Sequence, residues 1–301
     1  MSEIKSVAIA GASGTLGPHV LKALIDAQFQ VKVLARSKKP GEFDAGVNVV
    51  EVDFTSVESL TAALKGIDAV VSTVAGTAIK TQTVLIDAAA VAGVKRFIPS
   101  EYGSVTTNPK LEAFPLYENV FKIKHHLQEK ANAGQLTWTV LACGAFLEFL
   151  FAPGEASLLD FTDRKATLLD EGDNRLSSTS LATAGKAIAG ILKNLEATKN
   201  RVVKVSEVIL TQNQLLKIAE RLRPGDNWEI SKVAASAVLK EGLDELSAGD
   251  FSSSAIFKVI NGTGLAGETY GSAYDETDNE LLGVKELTEE DLKKFVVEKL
   301  A

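Results

Sequence analysis

At 301 residues the chain is long enough for one large α/β domain, or for a main domain with a smaller companion. Its 46% apolar and 24% charged residues are ordinary for a globular protein, and a net charge of −7 with no long Lys/Arg block argues against duplex nucleic acid as a partner. The single cysteine, Cys143, excludes an intrachain disulfide and a cysteine-based zinc site.

The N-terminal residues 1–6 carry no basic segment followed by an apolar one, so no secretory signal is expected. No run of about 18 uncharged apolar residues occurs, so no membrane-spanning helix is expected and the location is read as cytoplasmic. In chain order, Val7–Ala10 reads as a strand and Leu16–Ala27 as a helix with apolar Leu16, Val20, Leu24 and Ile25. Strands follow at Gln30–Ala35 and Val47–Val52, a helix at Val57–Leu64, a strand at Ala69–Val74 and a helix at Ile79–Ala92. Arg96–Pro99 is a strand, Tyr117–Ala133 a long helix and Thr137–Leu141 a strand. Strand–helix alternation with apolar strands predicts a Rossmann-type, doubly wound parallel sheet covered on both faces. The division expected is a dinucleotide-binding domain over 1–150 and a smaller α/β substrate region over 151–301, interleaved with the last elements of the first. There, helices are expected at Thr179–Leu195, Gln212–Leu222, Ser231–Leu243 and Thr288–Leu300, a strand at Val202–Val205, and a glycine-rich loop over Asn261–Tyr274.

Gly11, Gly14 and Gly17 form G-x-x-G-x-x-G between the first strand and its helix. Such a turn lets backbone approach a pyrophosphate without Cβ interference and aims a helix N-terminus at the anion. Ser13, Thr15 and Leu16 complete the turn, the first two with hydroxyl or amide donors. At the end of the second strand an acidic residue would accept from a ribose 2′-hydroxyl; here stand Arg36 and then Ser37-Lys38-Lys39, which suit a 2′-phosphate and predict NADP(H) over NAD(H). Asp53 and Phe54 fall where the adenine edge and face would lie, with core packing the alternative for Phe54. Thr73, Val74 and Ser100 sit at the C-terminal ends of the fourth and fifth strands, the edge where open α/β sheets bind ligands. Cys143, Gly144 and Phe146 follow the sixth strand and are expected to face the nicotinamide or the substrate.

Four segments together resemble the NmrA-like, isoflavone reductase-like family of atypical short-chain dehydrogenases. They are Gly11–Gly17, Val33-Leu-Ala-Arg36, Val71-Ser-Thr-Val74 and above all Arg96-Phe-Ile-Pro-Ser-Glu-Tyr-Gly103. The resemblance spans about residues 4–150. It implies NADPH binding and, as in the phenylcoumaran benzylic ether and pinoresinol–lariciresinol reductases, a lysine on the helix after the Pro-Ser-Glu-Tyr-Gly strand. The family pattern places a phenylalanine three residues before that lysine and an aromatic–Thr pair about fifteen after it. Phe121 and Trp138-Thr139 bring Lys124 into that register, and Lys122 is the alternative. Cys143 and Gly144 depart from the plant enzymes, which tend to carry Ser and Asn, and His125-His126 lies outside the signature. Adjacent helix positions point about 100° apart, so the two histidines are not read as a metal site. No tyrosine lies four residues before a lysine of this helix; Tyr117, two turns before Lys124, could line the pocket. The resemblance therefore implies an NADPH-dependent reductase of a small aromatic, quinone-like or benzylic ether substrate; the oligomeric state is left open between monomer and homodimer. The alternative is a non-catalytic NADP(H)-sensing regulator that binds a partner protein; such proteins are expected to lack the helix lysine.

Overall fold

The computed structural model describes residues 3–39 and 41–300, so Met1 and Ser2 of the N-terminal segment lie outside the described residues. Its first half alternates strand and helix: β1 (Ser6–Ala10), α1 (Gly17–Asp26), β2 (Gln30–Ala35), β3 (Asn48–Glu51), α2 (Val57–Leu64), β4 (Ala69–Ser72), α3 (Gln82–Ala92), β5 (Arg96–Ile98), α4 (Glu118–Asn132) and β6 (Thr137–Ala142). The second half runs β7 (Ala145–Phe146), α5 (Leu147–Leu150), β8 (Lys165–Leu169), β9 (Leu176–Thr179), α6 (Leu181–Lys193), β10 (Arg201–Lys204), β11 (Val208–Leu210), α7 (Gln212–Leu222), β12 (Glu229–Val233), α8 (Ala235–Ser247), α9 (Ser253–Gly264), α10 (Asn279–Leu282) and α11 (Glu289–Leu300).

Seven parallel strands form the main sheet in the order β10-β6-β5-β4-β1-β2-β3. The order reverses between β1 and β4, which makes the switch point of a doubly wound Rossmann sheet, outside which ligands bind. The sheet strands are apolar on both sides because both faces are covered. Val20 and Leu24 of α1 and Ala184, Ile188 and Ile191 of α6 cover one face. Leu60 and Leu64 of α2, Leu85 and Ile86 of α3 and Leu127 of α4 cover the other. Each fully buried Leu or Ile contributes about 1.5–3 kcal/mol. Since α6 and β10 come after residue 150 yet belong to this sandwich, the sheet is completed from the second half.

The remainder forms two smaller cores. One gathers Leu147, Leu168, Leu215 and Val296 around β8, α7 and α11. The other packs α8 and α9 against the segment after β5, with Leu239, Leu246 and Val259 meeting Val105, Leu111, Tyr117 and Phe121. Helix α11 starts at a reciprocal cap, in which Thr288 Oγ1 accepts from the Asp291 amide at 3.3 Å and Asp291 Oδ2 accepts from the Thr288 amide at 3.1 Å.

Three expectations for this half are corrected. The helix expected from Ser231 begins at Ala235, because 229–233 is β12, paired with β8. The helix expected from Thr179 begins at Leu181, because Leu176–Thr179 is the buried centre of a small sheet with β7 and β11, and Ser180 Oγ caps the helix by accepting from Thr183 N. The loop expected from Asn261 is still α9 as far as Gly264, for Gly262 serves close packing: a Cβ there would lie 2.7 Å from the Leu239 backbone of α8. Among the described residues no helix is long and apolar enough to cross a membrane.

Candidate active site

The glycine turn leaves β1 at Gly11, whose φ of +88° suits only glycine without strain. A Cβ there would also meet the Thr73 carbonyl carbon at 2.7 Å. Gly17 opens α1, and a Cβ on it would sit 2.3 Å from the Gly11 carbonyl oxygen. The turn is tied by the Gly14 amide donating to that same oxygen at 3.0 Å. Gly14 differs from the other two. A Cβ on it would make only ordinary contacts, 3.4 Å to Gly11 O and 3.8 Å to Thr73 O. The protein's own atoms do not require glycine at 14; a ligand lying against the backbone would. Ser13, Gly14 and Thr15 are exposed, whereas the Leu16 side chain is buried in the core. The amides of Ser13, Thr15 and Leu16 find no acceptor among the described residues. Free amides at the start of a ten-residue helix make a fitting cradle for a pyrophosphate.

Beyond β2, Arg36 and Lys39 are exposed and carry no ion pair among the described residues, so both cations are available to an anion. The Lys38 amide reaches Glu51 Oε2 at 3.4 Å. Asp53 turns back on its own chain, accepting from the Thr55 amide at 2.8 Å and hydroxyl at 2.6 Å, which hold its carboxyl below the ordinary range. Phe54 is half-buried against the α2–α3 core, so the packing alternative describes much of its surface.

Across the switch point the ends of β1, β4 and β5 are laced into a shelf. Thr73 is buried, with its amide and hydroxyl both donating to Ala10 O, at 2.8 and 3.1 Å. Ser100 Oγ donates to Val74 O at 2.6 Å, while the Ser100 amide donates to the buried Gln82 at 2.7 Å. Tyr102 donates to Ser72 O at 2.7 Å. The hydroxyls of Thr73 and Ser100 are therefore engaged within the protein, and what they present outward is a fixed edge.

One expectation is corrected here. Cys143 does not face a cleft: its side chain is fully buried, its Sγ lies 3.0 Å from the Tyr102 carbonyl, and burial pushes its thiol far up. The next residue shows why the plant pattern is not kept. Gly144 has φ +70°, and a Cβ on it would lie 2.0 Å from Ser177 O, where β9 crosses. Phe146 is half-buried and meets the exposed Phe149 edge to face, ring centres 5.7 Å apart.

On α4 the two lysines part company. Lys122 is exposed and pairs with Glu118 one turn back at 2.5 Å. Lys124 is half-buried, with its ammonium 5.5 Å from the Phe121 ring centre. Tyr117 does not reach toward it: the ring is buried and the hydroxyl lies 3.2 Å from Thr263 Oγ1 in the α8–α9 core. His125 and His126 turn to different acids, Glu112 at 2.8 Å and Asp87 at 2.9 Å. Among the described residues no three His, Cys, Asp or Glu side chains gather to hold a metal.

Glu101, within the Pro-Ser-Glu-Tyr-Gly strand end, carries no signal in the sequence that marks it apart from its neighbours. It is 5% exposed, and neither carboxylate oxygen has a hydrogen-bond partner. Burial pushes its carboxyl up to about 7, against the opposing pull of the Lys124 ammonium and of the Thr106 hydroxyl, which lies near without a well-formed hydrogen bond. A second such residue is Tyr274, whose hydroxyl donates to Ser104 O at 2.6 Å and pins the segment after β5. No local signal marked Tyr274, because the contact spans 170 residues.

The glycine turn, Arg36 and the shelf lie in the segments that carried the family resemblance, and comparison with known proteins returns the same family. The chain is 37% identical over 249 residues to Oxidoreductase aprR of Aspergillus flavus, covering 81% of this chain and 82% of that protein. It is 28% identical to isoflavone reductase homolog IRL of Zea mays, covering 80% and 81%. The leucoanthocyanidin reductase of Vitis vinifera, solved as a binary complex with NADPH, superposes with a TM-score of 0.77 at 22% identity over 97% of this chain and 99% of that one. The model of the NmrA-like family matches residues 3–269, and the chain belongs to that family.

Proposed function

We propose that the protein is an NADP(H)-dependent oxidoreductase that reduces a small aromatic, quinone-like or benzylic ether substrate at the C-terminal edge of the main sheet. The observation that carries this reading is convergence. The glycine turn with its free amides follows β1, Arg36, with no ion pair among the described residues, follows β2, and the half-buried Lys124 lies on α4, the helix that connects β5 to β6. The relatives named reductases and the neighbour holding NADPH support it.

In this reading Ser13, Thr15 and Leu16 donate amides to the pyrophosphate, and Gly11, Gly14 and Gly17 keep its approach open. Arg36, with Lys39, takes the 2′-phosphate, and Asp53 and Phe54 border the adenine. Thr73, Val74 and Ser100, with Phe146, bound the space for the nicotinamide through backbone and apolar surface. NADPH supplies the hydride when bound. Lys124 stabilises negative charge developing on the substrate oxygen, or delivers a proton to it. Cys143 and Gly144 contribute through packing behind that space. The region after residue 150, with α8 and α9 leaning on the 105–121 segment, supplies the substrate side of the cleft.

The test is a panel of aromatic carbonyls, quinones and benzylic ethers assayed for NADPH oxidation. At least one should accelerate it, and Lys124→Ala should remove turnover while calorimetry shows NADPH still binding. Full turnover in that variant would move the role elsewhere. Silence across the panel, together with NADPH binding and a captured partner protein, would favour the sensor alternative.

A further inference from the structure

Strands β4 and β5 stop pairing at Val71 and Ile98. The residue after Ile98 is Pro99, which has no amide hydrogen to donate, so the ladder cannot continue through it. Beyond that point side chains join the two strand ends. Ser100 Oγ donates to Val74 O at 2.6 Å, and Tyr102 donates to Ser72 O at 2.7 Å. The Ser100 amide goes to neither strand; it donates to Gln82 Oε1 at 2.7 Å. Gln82 is the first residue of α3 and only 1% exposed, a depth at which a side-chain amide is kept only with partners. Its Nε2 donates the other way, to Ile79 O at 3.3 Å, in the 3₁₀ turn Gly76–Thr81 that links β4 to α3. That turn buries none of its own residues. The hydroxyl of Thr81 ties it to its own Ala78 carbonyl, and that of Thr83 to Lys80 O, so neither anchors it to the sheet.

Resting on the nicotinamide side of the site proposed above, we propose that Gln82 is a positioning residue that fixes the nicotinamide half of the cofactor site. Its carboxamide sets the turn 76–81 against the end of β5, the two pieces of chain that edge the shelf carrying Val74 and Ser100. A carboxamide suits this task because it accepts on one side and donates on the other, and so bridges a backbone amide to a backbone carbonyl. The adenosine side has no such dependence. Gly11–Gly17, Arg36 and Asp53 follow β1, β2 and β3, and among the described residues no hydrogen bond joins them to Gln82. Loosening this seam therefore releases one half of the dinucleotide and keeps the other.

The test needs no substrate. Isothermal titration compares NADPH with adenosine 2′,5′-bisphosphate, which carries the adenine and the 2′-phosphate but no nicotinamide. Gln82→Met fills much the same space and removes both hydrogen bonds. It should raise the Kd for NADPH by roughly threefold to tenfold, the loss expected for a hydrogen bond, and leave that for the bisphosphate within about twofold. Gln82→Glu keeps the shape and the acceptor for the Ser100 amide and loses the donor to Ile79 O, so its split between the two ligands should be smaller than that of Gln82→Met. Equal weakening of both ligands, which a general disturbance of the fold gives, would overturn the assignment. So would unchanged NADPH affinity in both variants. A parent chain that binds neither ligand would reject the cofactor reading and the assignment with it. The split in a protein that turns over no aromatic carbonyl, quinone or benzylic ether would retain Gln82 as a positioning residue and reject the reductase.

Discussion

Alanine at Gly14 and at Gly17 should have opposite consequences, although the two residues belong to one motif. At Gly17 an added Cβ would lie 2.3 Å from Gly11 O and 2.5 Å from the Ala12 carbonyl. Ordinary carbon contacts need more than 3 Å, so backbone must retreat by about 1 Å in a turn tied by the Gly14–Gly11 hydrogen bond. Overpacking of this kind costs about 1–3 kcal/mol, offset in part by the 0.5–1 kcal/mol that alanine gains over glycine in a helix. A net loss of about 1 kcal/mol would lower Tm by roughly 2–4 °C in a domain of this size. At Gly14 the same methyl meets nothing nearer than 3.4 Å, and φ is not positive, so Tm should hold or rise slightly. There the effect should fall on the ligand. A methyl between backbone and pyrophosphate forfeits at least one charge-assisted hydrogen bond, about 1.5–3 kcal/mol, or a roughly tenfold or greater rise in the NADPH Kd. Scanning calorimetry and isothermal titration of both variants check this. Gly14→Ala that binds NADPH normally, or that melts as low as Gly17→Ala, would refute the cradle.

Arg36→Ala should weaken NADPH by roughly 10–100-fold and leave NADH almost unchanged, since only the 2′-phosphate loses its charge-assisted bonds; equal losses by titration would reject the selectivity argument. Arg96 is fully buried and donates to Thr137, Thr139, Thr198 and the Leu195 carbonyl, so Arg96→Ala should cost about 3–5 kcal/mol by denaturant unfolding, while Arg96→Met, which refills the space and orphans chiefly the carbonyl, should lose less. Glu101 has a folded-state pKa raised from 4.5 to about 7, so it binds its proton more tightly folded than unfolded. Its contribution to stability therefore falls as pH rises from about 4.5 to 7, by about 3 kcal/mol in all, and Glu101→Gln should flatten that part of the stability–pH curve; an unchanged slope would show that the carboxyl is not buried in solution.

The first half of the fold was legible because each signal was local and apolar. Strands buried on both faces read as unbroken Val/Ile/Ala runs, and α2 and α7 matched their expected limits because their apolar spacing is regular. The second half hid its strands in polar letters. Leu176-Ser-Ser-Thr179 is buried throughout, yet two of its hydroxyls bond to distant parts of the chain: Ser177 Oγ accepts from the Tyr274 amide at 2.9 Å and Thr179 Oγ1 donates to Val205 O at 3.4 Å. No window on residues 176–179 contains those partners. The α8–α9 pair failed for a related reason. Gly262 reads as a breaker when the chain is scanned alone, and as a contact surface only once Leu239 is opposite it.

The candidate site divides along the same line. The glycine turn itself was readable, since three glycines after a strand are a local statement about where chain can come close. Lys124 was separable from Lys122 only through the family register, and the geometry adds an independent distinction, for one lysine is spent on Glu118 and the other is not. Cys143 was misplaced because position in sequence just after a strand does not say which side of the sheet a side chain takes. With Gly144 forced by β9 into the left-handed region, the cysteine turns inward beneath Tyr102. That contact sets the sulfur 3.0 Å from the carbonyl of the residue after the buried Glu101. The side that Cys143 takes thus depends on a crossing between residues 144 and 177 that no spacing along the chain could announce.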